Sequence, residues 1–248
     1  MRWDAASVLR VTHRHERKRR PRLGYAHPVT ERLPLFPLGT VLFPGLVLPL
    51  HVFEERYRAL VRDLVDAPEE ERAFGVVAIR EGREVGDGGI KSLHPVGCLA
   101  DLRQVEPHPD GRFDIVATGA RRFRIDSVDA ASKPYLQAEV EFLDEPDGDA
   151  AAVLANPVAE LWGAYRQALT GQSPDDPNEL PDDPVVLSYL VAAATILDLS
   201  DKQRLLEEPD TTSRLRRELA ILRREAILLR LLPSLPAVEL SRTAVSPN

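Results

Sequence analysis

The chain has 248 residues, 44% hydrophobic and 29% charged, enough to bury one large or two modest cores, and it reads as a soluble globular protein. Its formal net charge of −7 disfavours general nucleic-acid binding, and no apolar run reaches the roughly 18 residues of a membrane span. The single cysteine, Cys98, excludes an internal disulfide and a cysteine-based zinc site and is expected to be a small buried hydrophobe; the N-terminus lacks a secretory-signal pattern, so the expected location is cytoplasmic.

Residues 1–30 form a separate compositional block, with Arg14, Arg17, Lys18, Arg19, Arg20 and Arg22 crowded before Pro21 and Pro28. Like charges repel, so this block is expected to be a disordered arm, with a phosphate-gripping arm as the functional alternative. His13 and His15 lie in it, without the rigid frame that a metal site needs. From Leu33 onward, short apolar runs are punctuated by Pro34, Pro37, Pro44 and Pro49, which remove backbone donors and predict a proline-interrupted strand pair at a sheet edge. At Phe53 the period changes. Phe53, Tyr57, Leu60, Val61, Leu64 and Val65 recur as the apolar stripe of an amphipathic helix. The unpaired edge and the charged helix start, Glu54-Glu55-Arg56, could receive an extended peptide, although such a stripe is by default core.

Pro68 and Glu69-Glu70-Glu71 then predict a loop, and Phe74 to Ile79 a central strand. The following glycine-rich connection contains Gly88-Gly89-Ile90-Lys91-Ser92, which lacks the glycine directly before lysine that a phosphate loop requires. Val96, Cys98, Ala100 and Leu102 alternate with polar residues as a half-buried strand, and Pro109-Asp110-Gly111 predicts a hairpin turn into Phe113, Ile115 and Ala117. Gly119 is expected to break that ladder before a further strand, Arg122 to Asp126, with its basic residues facing outward. Tyr135 to Phe142 closes the sheet region, and the sum of short strands, turns and one early helix suggests a small barrel.

The segments LPLFPLGTVLFPGLVLPLHVFEERY, VGCLADLRQV and PDGRFDIVATGARRFRI, in this order and spacing across roughly residues 33 to 143, resemble the N-terminal, substrate-binding domain of Lon proteases. The G-x-x-R-F-R-I ending at Ile125 is the more specific part. The resemblance implies an α+β fold in which a PUA-like β pseudobarrel, over residues 31–145, is followed by a C-terminal α-helical bundle over residues 150–232. It also implies that charged residues at the start of the early helix contact substrate, which points to Glu55 and Arg56. The next basic position of the family pattern falls on Ala59, with Arg58 adjacent.

The last third agrees on its own residues. Ala150 to Leu169 reads as a helix carrying Trp162 and Tyr165, which Pro157 would kink or start. Asp182 or Asp183 can cap a helix opening at Pro184 and running, almost wholly apolar, to Leu199 as the buried centre of the bundle. Asp198 to Glu207 adds a short helix whose DKQRLLE stretch also resembles the Lon bundle segment. In the last helix Leu215, Leu219, Leu222, Ala226 and Leu229 form a packing seam, with the arginines read as a solvated face. Residues 233–248 are expected to be a disordered tail.

No catalytic constellation can be justified. The chain has no G-x-x-x-x-G-K-[ST] loop and no G-x-S-x-G elbow, and Ser92, His94 and Asp101 make a triad only on paper. The acidic run Asp144 to Asp149 lacks the glutamate of a calcium loop, with Ala155 at the twelfth position; Asp175-Asp176 and Asp182-Asp183 read as turn and cap; His51 reads as a packed or partly exposed histidine. No cofactor and no metal are therefore expected. The function expected is that of a stand-alone, non-catalytic module recognising exposed apolar segments of client proteins, alone or as an adaptor in protein quality control, with a Lon-type protease as a candidate partner. Its site would comprise Glu55, Arg56 and Arg58 with Leu35, Phe36 and Phe43 in an apolar groove by the edge. The alternatives are an RNA-binding PUA-like module, using the arm with Arg121, Arg122 and Arg124, or a structural interaction protein.

Overall fold

A computed structural model describes residues 30–82, 90–171 and 180–231. The expected arm up to residue 29, the tail 233–248, the Gly88-Gly89 pair and Asp175-Asp176 lie outside the described residues.

Strand β1 (Glu31–Leu38) pairs antiparallel with β7 (Gln137–Phe142) over its first half and parallel with β3 (Ala73–Gly82) over its second. Strand β3 also pairs with β4 (Ile90–Leu93) and β5 (Val96–Pro107); β5 pairs with β6 (Phe113–Asp129), and β6 with β7, so the ring closes. Closure removes the edge expected at Pro34 and Pro37. Each half of β1 has one strand partner, so a proline's missing donor can fall on the unpaired side. Strand β2 (Val47–Val52), which holds Pro49, pairs with the first part of β6, and among the described residues no strand covers its other side.

Gly119 does not end the strand, although the β5–β6 register shifts between it and Arg122. β6 is one 17-residue strand that changes partner from β2 to β7, and at Gly119 the segment before β2 crosses it: Gly119 N–H donates to Leu46 and Gly45 N–H donates to Gly119. A Cβ there would lie 2.3 Å from the Phe43 carbonyl oxygen, so the glycine marks a close backbone approach. The barrel's two apolar clusters are divided by strand pleat. Phe36, Leu38, Phe74, Cys98 and Ile115 lie with helix α1 (Glu55–Asp66), and Leu33, Leu35, Leu99, Phe123 and Val140 lie on the opposite side. Burial raises the pKa of the Cys98 thiol strongly, which leaves it an inert hydrophobe.

Four helices follow: α2 (Ala151–Thr170), α3 (Pro184–Ala194), α4 (Leu199–Glu207) and α5 (Thr211–Leu231). Pro157 lies inside α2, which starts at Ala151. Asp183 caps α3, its Oδ1 accepting from Val185 N–H at 2.8 Å. The helix expected to continue to Leu199 ends at Ala194, because Thr195 is extended and Asp198 must also be extended to cap α4 through Asp201 N–H. Val158, Trp162 and Tyr165 of α2 pack on Leu187 and Val191 of α3 and on Leu215, Leu219 and Leu222 of α5. Phe43, Val96, Tyr189, Leu205, Leu206 and Ile221 join barrel to bundle.

Two arginines correct the sequence reading. Arg122, expected to point outward, is 2% exposed, and Arg214, expected on a solvated face, is fully buried. Glu145 links them: its Oε2 accepts from Arg122 Nε at 2.8 Å and its Oε1 from Arg214 Nη2 at 2.6 Å. Arg122 also donates to the carbonyls of Asp144, Leu206 and Glu208, and Arg214 to that of Leu205 and to the Ser188 hydroxyl. Tyr189 donates its hydroxyl to Glu145 and lies under the Arg214 guanidinium, 3.9 Å from it. An outward strand position thus became an interface position because the bundle docks on it.

Glu145→Ala leaves two buried guanidinium groups without their carboxylate and is expected to cost about 3–5 kcal/mol in chemical denaturation. A loss below about 1 kcal/mol would show that the carboxylate does not hold this interface. Glu218 gives a pH-dependent counterpart. Its carboxyl is buried with both oxygens unpartnered, and burial raises its pKa well above the usual range. An acid with a raised native pKa stabilises the fold at low pH, and that contribution is lost as pH rises from the unfolded value, about 4.3, through the native one. Wild type should therefore lose about 1 kcal/mol per pH unit across that window relative to Glu218→Gln. Parallel stability profiles for the two proteins would contradict this.

Candidate functional site

Helix α1 lies on the barrel through Tyr57, Leu60, Val61 and Leu64, with the Tyr57 ring stacked on Phe36 at 4.1 Å. The two ends of its expected stripe are not buried: Phe53 is 49% and Val65 38% exposed. Phe53 precedes the helix, whose N-cap is Glu54, and so escapes the helical face it would need. Two ties fix the helix laterally. Asp63 accepts from the Tyr135 hydroxyl at 2.6 Å and from Lys133 at 2.9 Å, contacts that lower its pKa in that order, and Arg72 donates to the last-turn carbonyls of Val65 and Ala67.

The far flank of α1 faces the β5–β6 hairpin across an open cleft of about 620 Å³. Its floor and wall are apolar, from Val65, Leu102, Val105, Pro107 and Phe113; its rim is charged, from Arg62, Asp66, Glu69, Arg72 and Arg103. Phe113 is the register partner of Val52 at the end of β2, whereas Phe53, next in sequence, lies against His51 on the other face and does not line the cleft. The tip of the hairpin leans on α1. Gly111, at φ +81°, exposes its carbonyl to Arg58 Nε at 2.6 Å. The turn expected at Pro109-Asp110-Gly111 closes through Gly111 N–H to the His108 carbonyl at 2.9 Å.

The charged residues expected to touch substrate are already engaged. Glu55 is exposed and accepts from Arg58 at 2.9 Å and from Arg62 at 3.0 Å; Arg56 pairs with Glu54 at 2.8 Å and lies over the Tyr57 ring. Exposed pairs of this kind contribute little and exchange readily. Leu35, Phe36 and Phe43, expected in the groove, are instead interior: Leu35 and Phe36 fill the two barrel clusters and Phe43 fills the barrel–bundle contact. Sequence reasoning missed Arg62, Val65, Val105 and Phe113. Val65 and Phe113 carried the apolar periodicity of buried residues, and only the length by which β5 and β6 project past the barrel leaves them at a cleft.

A second group lies on the same hairpin. Asp114 accepts from His51 Nδ1 at 2.6 Å through Oδ1 and from His108 Nε2 at 2.8 Å through Oδ2, and these two bonds lower its pKa, His51 contributing most. Arg112 approaches the other nitrogen of His51 at 3.3 Å. Ser92, proposed on paper for a triad, is contacted by Arg80, while Asp101 pairs with Arg103.

The family model for the ATP-dependent protease La (LON) substrate-binding domain matches residues 32–224. The chain belongs to that family. It is 31% identical over 209 residues to Lon protease 2 of Herpetosiphon aurantiacus, covering 82% of this chain and 25% of that protein. It is 32% identical over 201 residues to Lon protease 1 of Thermus thermophilus, covering 78% of this chain and 24% of that protein. The chain thus spans about a quarter of the length of the relatives it matches. Two solved structures share the fold. The N-terminal domain of Mycobacterium avium complex Lon protease superposes with a TM-score of 0.60 at 22% identity, covering 79% of this chain and 98% of that one. The Lon N-terminal domain protein from Xanthomonas campestris gives 0.52 at 26% identity, covering 77% and 98%. An α+β Lon N-terminal fold is therefore shown, and among the described residues no helix is long and apolar enough to cross a membrane.

In this Lon-type domain, the contact of α1 with the hairpin depends on Gly111. A Cβ there would lie 2.0 Å from Arg58 Nη2, and a left-handed conformation in a residue other than glycine costs about 1–3 kcal/mol. Gly111→Ala is expected to lower stability by that amount in urea denaturation, and Arg58→Ala in the same background to return part of the loss. Full additivity of the two changes would show that Arg58 and Gly111 act independently.

Proposed function

We propose that the chain is a non-catalytic module that captures exposed apolar segments of client proteins in the cleft between α1 and the β5–β6 hairpin. It would act as an adaptor in protein quality control, with a Lon-type protease as its downstream partner. The observation that carries the reading is the junction itself: an aromatic ring, Phe53, left half exposed beside a strand, β2, that has a strand partner on one side only among the described residues. An extended peptide can add backbone hydrogen bonds along such a side with an apolar side chain against Phe53, while the cleft offers Val65 and Phe113 to further apolar side chains. Glu55, Arg56 and Arg58 then lie at the other end of α1 from the cleft lining, where exchange of their partly exposed pairs would set the register and charge preference of the client. The barrel, residues 31–145, would be the binding unit and residues 150–232 its support. Membership in the Lon substrate-binding family supports this reading, as does the engagement of Ser92 and Asp101 by separate arginines. The cytoplasm is the compartment in which we place the role, consistent with a buried and unbridged Cys98.

The RNA-binding alternative loses a cation. Of the three arginines counted for it, Arg122 is consumed by the bundle, while Arg121, over the Phe142 ring, and Arg124 remain exposed.

The test compares an apolar-rich client, unfolded and folded, for binding to the purified chain without ATP. The unfolded form should bind and the folded form should not, because only the former offers free backbone and apolar side chains. Phe53→Ser is expected to weaken client binding by about tenfold or more, as for a partly buried aromatic anchor, while stability moves by no more than about 0.5 kcal/mol. Equal affinity for both client forms would remove the function; unchanged affinity in folded Phe53→Ser would remove the site.

A further inference from the structure

His51, His108 and Asp114 reach one point from three separate stretches of backbone. His51 lies in β2 directly opposite Asp114 in β6, and His108 follows the end of β5 and is fixed by its N–H to the Arg112 carbonyl at 2.8 Å. One nitrogen of each ring and a carboxylate oxygen all lie within 4.8 Å of one another. We infer that this group is a divalent transition-metal site of the zinc class, with His51 Nδ1, His108 Nε2 and Asp114 as protein ligands and water in the remaining position.

The donor set, two imidazoles and a carboxylate with an open position, is one that zinc favours. The frame is rigid, since two ligands are register partners in a sheet and the third is in a closed hairpin turn. The carboxylate now bridges two imidazole nitrogens at 2.6 and 2.8 Å. Tetrahedral ligands about 2.0–2.2 Å from zinc are about 3.3 Å apart, so each His–Asp114 pair need open by less than 1 Å, and the two ring nitrogens, within 4.8 Å of each other, approach the same spacing, in partly exposed side chains free to move. A cation replacing those two protons keeps every ligand on its present backbone position. Arg112 opposes it. Its guanidinium, held by Asp110 at 2.6 Å, points at His51 Nε2, where metal binding at Nδ1 would require a proton. Arg112 thus supports the metal-free cluster, in which His51 donates through Nδ1 and accepts at Nε2, so its removal should weaken that cluster but strengthen metal binding. A bound ion would clip β2 to the hairpin whose Gly111 holds Arg58, and so would stiffen one wall of the proposed cleft; the inference does not depend on what the cleft binds.

Zinc chloride alone is titrated by calorimetry into the full chain, with a chromogenic chelator in competition. One zinc per chain is expected, at micromolar affinity, with protons released on binding and weaker binding on acidification. His51→Ala/His108→Ala should lose at least about 100-fold in affinity, beyond the usual effect of an outer partner, with an unchanged circular-dichroism spectrum because both side chains are partly exposed. Arg112→Ala should bind more tightly than wild type. A His13→Ala/His15→Ala/His27→Ala chain should keep the site. No saturable binding at submillimolar zinc overturns the inference, as does binding that survives the His51/His108 change and disappears with the N-terminal one.

Discussion

The orientation of barrel and bundle rests on one carboxylate between two arginines. Glu145 lies in the connection between β7 and α2, and through it a residue of β6 is joined to a residue of α5. Taking three charges out of water is costly, and the return comes from saturation: Arg122 and Arg214 spread their donors over four backbone carbonyls and the Ser188 hydroxyl, besides the shared carboxylate. Four of those acceptors lie near helix ends or in connecting segments, where carbonyls lack helical partners. The contact is therefore specific in position. A shift of the bundle on the barrel would take the Leu206 and Glu208 carbonyls away from Arg122, while Arg214 would keep Leu205 and Ser188, which move with it.

That constraint decides which surface remains available. With the bundle seated on Phe43, Val96 and Arg122, no other element among the described residues covers the side of the barrel bearing α1 and the projecting β5–β6 hairpin. The hairpin could have been a mobile arm, but Gly111 and Arg58 tie its tip to α1, and Arg72 closes the other end by satisfying the last carbonyls of the helix. The cleft is thus a gap between two anchored elements, the form in which a binding site needs little reorganisation to accept a segment. In a sheet ring closed by the parallel β1–β3 pair, β2 stands outside the path and, among the described residues, has a strand partner on one side only.

Much of this was legible in the residues. The strands between Val96 and Phe142, the Pro109-Asp110-Gly111 turn, the capping of α3 by Asp183 and the Leu215-Leu219-Leu222 seam all follow from local periods and turn chemistry, and the structure holds each of them, although β5 is buried on both faces from Val96 to Leu102, Asp101 included, where one solvated face was expected. The failures have a common cause. Gly119 was read as a break because a glycine weakens a strand locally, whereas its role is set by Phe43, far away in sequence, crossing over it. Thr195 ended α3 against an apolar run because the next helix needed Asp198 extended as its cap.

The site shows the same division at its sharpest. Periodicity distinguishes the faces of a strand or helix, but it assigns the polar face to water, and water is not the only thing that can lie there. Arg122 and Arg214 occupy polar positions that another domain covers; Val65 and Phe113 occupy apolar positions that nothing among the described residues fully covers. In both directions the deciding quantity is where a second element docks, which depends on contacts between residues such as Arg122 and Glu208 that are far apart in the chain. A buried arginine with saturated donors and a half-exposed phenylalanine are therefore the two signatures that a single sequence hides best. They are also the two that locate, respectively, what this Lon-type domain holds fixed and the surface at which a partner is proposed.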